Sequence, residues 1–381
     1  MTTVITNVDQ FRELLEGALN GKPKDQAALK EAITTSDLGG LLRATVNAEM
    51  EEQYPTLEPV WREFASAESL SDFRPAALYE LIPDSEDMLR EIGGETVPGG
   101  LPRVPELTPY PTIGFTQGEK WFQTVKRGVR VHFSFEAFVN DEWGQIARLP
   151  AEMLRLAAET EDVVATRALV TEAGINAANF NAANDNILKE RQGAFGDILG
   201  ATTTVPDNAP LSLDSLFAAI QQISEQKVNG RSVRVTSFVL VVPPNLEQLA
   251  NMIVNAAQVR QTVGDREFEF ANPLPARIKV VANEWLTSIN GAASAATTWF
   301  LLPAGGRTAN GRKTIVETFL RGRETPEMRV SGVTGRYIGG GDVPYTEGSF
   351  DNDDAEIRLR HIVDSAFLNA GGTIASDGTG S

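Results

Sequence analysis

Along residues 129–135, apolar and polar side chains alternate: Val129, Val131, Phe133 and Phe135 fall on one side, Arg130, His132 and Ser134 on the other. A period of two is the mark of a strand with one buried face. The preceding stretch, 116–125, reads as its partner, with Lys126-Arg127-Gly128 as the hinge of a hairpin. Further on the period changes. Met153, Leu154, Ala157, Ala158, Val164, Ala165, Ala168 and Leu169 recur at helical spacing, with charged residues between them. Pro150 suits a first helical turn, where its missing N–H costs little, and Gly174 suits the residue just past the end. The pattern predicts one helix over 150–174, about 36 Å long at about 1.5 Å per residue.

Upstream, apolar residues are thin. Short helices are predicted at 10–19, capped by Asp9, at 25–33 and at 41–52, and Pro55, Pro59 and Pro75 break up the rest. Residues 1–90 read as an arm that lies along other chains instead of packing a core. Gly and Pro crowd 93–111, which excludes helix and central strand and leaves an extended limb. Beyond the long helix, 176–186 is Asn/Ala-rich and irregular, and a helix follows at 211–226 with Ser212 or Asp214 at its start. Phe238-Val-Leu-Val-Val242 is apolar throughout, as in a strand buried on both faces. Pro243-Pro244 ends it, and Asn245 caps a helix over 246–257. Strands at 278–281, 298–302, 314–320, 328–330 and 356–367, punctuated by Pro and Gly, complete a mixed α+β chain. The last of them is expected to run on to Gly371-Gly372, and 376–381 to fray. No internal repeat is found.

Composition narrows the function. With 381 residues, 42% of them hydrophobic and 22% charged, the chain can bury a sizeable core and is ordinary for a globular protein. No apolar run approaches the roughly 20 residues of a membrane helix. The N-terminus lacks the basic and apolar regions of a secretory signal. Cysteine is absent, which excludes disulfides and thiolate chemistry. Net charge is −17 and the pI is near 4.7, and no basic face for gripping nucleic acid by its phosphates stands out in the sequence.

Catalytic chemistry is not evident. His132 and His361 each sit in an alternating strand pattern flanked by apolar residues, as partly buried structural histidines do, and neither has metal-ligand spacing. There is no G-x-S-x-G. Gly339-Gly-Gly-Asp342 lacks the ending and the strand-to-helix setting of a phosphate loop and reads as a flexible turn. Asp351-Asn-Asp-Asp354 offers oxygen ligands for a hard cation, but without the glycine and downstream Glu of an EF-hand it reads as a solvated loop. No catalytic residue, cofactor or metal is expected.

Several stretches, in order, resemble the major capsid proteins of tailed bacteriophages of the Hong Kong 97 type, over about residues 74–381. The Pro/Gly limb and hairpin through Phe135 resemble that family's extended E-loop. Glu136-Ala-Phe-Val-Asn-Asp141 and the helix to Gly174 resemble the entry to its spine helix. Val239 to Asn251, with Pro243-Pro-Asn245, resembles the start of its axial domain. Asn272-Pro-Leu-Pro-Ala-Arg-Ile-Lys-Val-Val281 resembles a segment that in the family carries a glycine turn, which is missing here. Trp299-Phe-Leu-Leu-Pro303, Phe319-Leu-Arg-Gly322 and Pro326-Glu327 look like later axial strands. Arg358-Leu-Arg-His-Ile-Val-Asp-Ser-Ala-Phe367 looks like the strand that returns to the peripheral domain.

The resemblance implies an arm (1–90), an E-loop (91–135), a peripheral domain with its spine helix (136–242), an axial domain (243–345), and a return strand and tail (346–381). It implies a non-enzymatic shell subunit, assembled in the host cytoplasm and resident in the virion. Copies would form pentamers and hexamers of an icosahedral head around double-stranded DNA, without sequence-specific binding and without membrane. A scaffold, a head protease and a portal would take part in assembly, with a decoration protein as a further partner. Contacts between copies are expected at Phe115, Lys120, Trp121, Phe122, Lys126 and Arg127. An exposed hairpin has unpaired edges and ordering costs that only a neighbouring chain offsets. Some family members weld subunits by a Lys–Asn isopeptide bond. Lys120 or Lys126 with Asn369 is the candidate pair here, but the wording around Asn369 does not match closely enough to assign it. The rival readings are an encapsulin-like nanocompartment shell, and a phage-associated binding protein or hydrolase.

Overall fold

The computed structural model describes residues 57–77, 106–107, 109, 121–134, 149–180, 208–228, 231–263, 266–309, 311–331, 338, 349 and 354–380. The helices expected at 10–19, 25–33 and 41–52, nearly all of the Gly/Pro limb, Gly339–Asp342 and 351–353 lie outside these residues. The chain divides into two compact units, the first drawing on 57–58, 125–160 and 321–363, the second on 59–124, 161–320 and 364–380.

The first unit is an antiparallel ribbon with a helix on one face. The strand Asp354–Phe367 takes Glu327–Val330 on one side and Lys126–Ser134 on the other. Alternation turns Ile357 and Leu359 to one face, where they pack with Met328 and Val131 against Met153, Leu154 and Ala157 of the helix Leu149–Arg167. The expected hairpin hinge is corrected here. Lys126–Ser134 is one unbroken strand paired with the long C-terminal strand, and of 116–125 the described Trp121–Phe122 pairs instead with Ala76–Ala77. Gly128 lies inside it because a Cβ there would come 2.6 Å from the Leu359 carbonyl oxygen. A period of two reveals the buried face of a strand but not its partner. His132 is also corrected: it is exposed, whereas His361 is buried as expected.

The long helix exists, with Pro150 in its first turn, but it ends at Arg167. Its 19 residues span about 28 Å, against the 36 Å expected. Ala168 and Leu169 N–H groups donate to the carbonyls of Ala165 and Thr166, tightening the end. Asn176 and Asn179 side chains donate to the carbonyls of Arg167 and Ala168. β-Branched Val170 and Thr171 then pair with Gly174–Ile175, so Gly174, at φ +119°, closes a turn instead of ending the helix.

The second unit centres on a four-stranded sheet in the order Ile278–Ala282, Phe238–Val242, Trp299–Pro303, Ile374–Ser376, with the first pair parallel. Helices Leu213–Glu225 and Pro244–Asn255 cover it through Leu216, Ala219, Ile223, Ala250 and Val254. Ser212 caps the first in a reciprocal capping box with Ser215. Asn245 is not the cap of the second: Pro243 holds that position and Pro244 opens the helix. The antiparallel pair Gln258–Val263 and Arg266–Ala271 was not anticipated, although Glu267-Phe-Glu-Phe270 alternates. The tail does not fray. Ser376 is buried in the edge strand, Thr297 Oγ1 donates to the Asp377 carbonyl at 2.6 Å, and Gly380 N–H to Asn208 O at 3.0 Å.

Residues 59–77, expected in the arm, belong to this unit's own core. Ser66–Leu70 pairs in parallel with Ile315–Leu320. Trp61 and Phe64 are buried, each side chain contributing about 1.5–3 kcal/mol. Trp61 docks on carboxylates: its main-chain N–H donates to Asp162 Oδ1 at 2.8 Å and its indole Nε1–H to Glu161 Oε2 at 2.9 Å. Glu317, on the neighbouring strand, is fully buried. Burial, then the charges of Glu161, Asp364 and Asp162, push its carboxyl well above the usual range. The hydroxyl of Ser365 pulls it slightly back, but neither oxygen of Glu317 completes a hydrogen bond.

Candidate assembly interface

Trp121 is the exposed aromatic among the described residues expected to meet another chain. Trp121–Phe122 forms a short antiparallel pair with Ala76–Ala77. Alternation separates the two aromatics. Phe122 turns inward to pack with Leu70, Val316 and Leu368, while Trp121 stands 58% exposed. Phe73, just before this pair, is also exposed, beside the ion pair of Arg74 with Asp72. Hydrogen bonds from Arg74 hold the Asp72 carboxyl below its usual range. Leu249 and Met252, one turn apart on Pro244–Asn255, form a second exposed apolar pair.

Lys126 and Arg127 belong to the first unit. Lys126 is exposed, and Arg127 Nε donates to the Val363 carbonyl at 3.1 Å, which ties it to its own chain. Phe115 and Lys120 lie outside the described residues. The structure thus assigns the four described candidates to two units, and Phe122 to a buried site within its own.

One surface was not seen in the sequence. On the face of the ribbon opposite the helix, register aligns Arg329, Arg358 and Arg130 on a single rung across the three strands. Each sits between apolar neighbours, which shows that it points outward; the alignment depends on pairing. The outer two have carboxylates. Arg130 bridges to Glu356 at 3.1 Å, and Arg329 to Glu327, which also takes Arg360 and Arg323. Partial burial raises the pKa of Glu327, but the hydrogen bonds from Arg329 and Arg360 prevail and hold it below the usual range. Arg358, in the centre and exposed, has no ion-pair partner among the described residues.

Among the described residues no cluster of His, Asp or Glu is arranged to hold a metal ion, and no helix is long and apolar enough to cross a membrane.

The family described as phage capsid protein matches the chain over residues 117–376. No curated protein matches its sequence. Among solved structures, the capsid of cyanophage P-SCSP1u is similar at 12% identity, covering 84% of this chain and 87% of that one, with a TM-score of 0.43. A chain from Gordonia phage Cozz is similar at 13% identity, covering 84% of each, with a TM-score of 0.39. The SrpI encapsulin of Synechococcus elongatus PCC 7942 is similar at 10% identity, covering 85% and 89%, with a TM-score of 0.40.

Proposed function

The chain belongs to the phage capsid protein family, and from that membership we propose that it is the major head subunit of a tailed phage, with the Hong Kong 97-type fold. The family match carries this reading, because it runs through segments of both units. Copies assemble in the host cytoplasm as pentameric and hexameric rings and close an icosahedral shell around double-stranded DNA. The role is structural, not enzymatic. Leu149–Arg167 is the spine helix, Asp354–Phe367 the return strand, and Ile278–Ala282 and Trp299–Pro303 are strands of the axial domain. A net charge of −17 suits a wall that encloses DNA without gripping it. A scaffold, a head protease and a portal serve assembly, and a decoration protein is a further partner.

Trp121 is proposed as the apolar contact at the base of the E-loop, held in place by Phe122 packed beneath its strand. Phe115, Lys120, Lys126 and Arg127 are proposed along the same stretch. Electron microscopy of the purified protein tests the reading: ring-shaped capsomers or closed shells are expected. Dispersed monomers that bind a small ligand saturably would refute it. Trp121→Ala is expected to leave circular dichroism unchanged while lowering the yield of assembled particles at least about tenfold, the range of an interface hot spot.

A further inference from the structure

We infer that the arginine face of the first unit is a docking surface for a carboxylate-rich surface of a second copy of this chain. The inference rests on the shell-forming reading above. Like charges directly opposite one another across strands destabilise a sheet, and here three face each other on adjacent strands. Glu356 and Glu327 pair with the outer two, and Arg358 is exposed with no carboxylate partner among the described residues. A guanidinium with free donors suits paired carboxylate oxygens. The supply of carboxylates is on the chain itself: 51 acidic against 34 basic residues, so the surface a neighbouring copy offers is mostly anionic. A local basic rung on an acidic chain then supplies the charge complementarity that sets register between copies. Nucleic acid is the competing anion, and the test separates the two.

Arg358→Glu distinguishes docking from a merely structural role by sign. Reversal removes the repulsion within the rung, so the isolated chain melts at the same or a higher temperature. Self-association, followed by sedimentation velocity in nucleic-acid-free buffer, is expected to need at least about tenfold more protein. Wild-type association weakens as salt rises, and that dependence is reduced in the variant. Arg358→Lys keeps most of the association. Arg358→Gln, which neutralises without reversing, gives a smaller loss and serves if the Glu variant fails to fold. If Arg358→Glu associates like wild type, the inference fails alone. If it associates like wild type but loses binding to a short DNA duplex, the face serves DNA and the inference is likewise overturned. A wild-type chain that never self-associates overturns this inference and the shell reading together.

Discussion

Replacing Asp162 by asparagine removes a buried charge yet leaves an oxygen to accept the Trp61 N–H, now 2.8 Å from Oδ1. Burial pushes the pKa of Asp162 from an ordinary 3.8 up to about 6; the N–H groups of Trp61 and Val60 draw it only part of the way back, and the charges of Glu161 and Glu284 add to the rise. The folded chain therefore holds this proton more tightly than the unfolded chain. The contribution to stability is complete below about pH 3.8 and is lost as pH rises through about 6. At 1.36 kcal/mol per pH unit between those values, ionisation costs up to about 3 kcal/mol by pH 8. Asp162→Asn escapes that cost. Native-state hydrogen exchange of the peptide covering 60–70 reads it directly, since Trp61 docks that segment. The variant should match wild type at pH 4 to within about 1 kcal/mol, and at pH 8 show protection higher by up to about two decades after correction for intrinsic rates. Equal dependence on pH in the two proteins between 4 and 7 would refute the reasoning.

Two further tests probe the backbone and the covalent state. Gly306 has φ +62°, and a Cβ there would come within 2.8 Å of Ala65 Cα and Ser66 N, whereas Gly305 has the same φ and nothing near it. Gly305→Ala should cost about 1 kcal/mol of stability, the left-handed penalty alone, and Gly306→Ala at least about 2, as read from thermal melts. Asn369 is buried and its Oδ1 accepts the Gly371 N–H at 2.8 Å, which engages it within its own chain. Purified particles are expected to run as a single subunit band on denaturing gels; a ladder of multiples would show a Lys–Asn weld.

Elements whose signal is local were legible in the chain. Phe238–Val242 reads as a buried strand because every residue is apolar, whatever its neighbours. The helix at Leu213–Glu225 reads correctly because Ser212 and Ser215 form its cap from within four residues. The long helix was read too far, because Val164 to Leu169 keep the helical period while the groups that end it, Asn176 and Asn179, return from a later turn. Trp121 was legible as an aromatic in an exposed stretch. That it is exposed while Phe122 is buried required the pairing with Ala76–Ala77.

The hydrophobic pattern by itself determined that the chain is α+β, where most strands lie, and that a long helix precedes the mixed domain. The family came from elsewhere: several stretches resemble it in order, and the family match over 117–376 shows it. Only the tertiary structure decided partners. It gave Lys126–Ser134 to the C-terminal strand, took 59–77 from the arm into a core, set Glu317 beside Glu161 and Asp162, and lined up three arginines on one rung. The reason is physical. Periodicity records which face of an element avoids water, a property of neighbours along the chain, while register, docking and buried charge depend on residues far apart in the sequence.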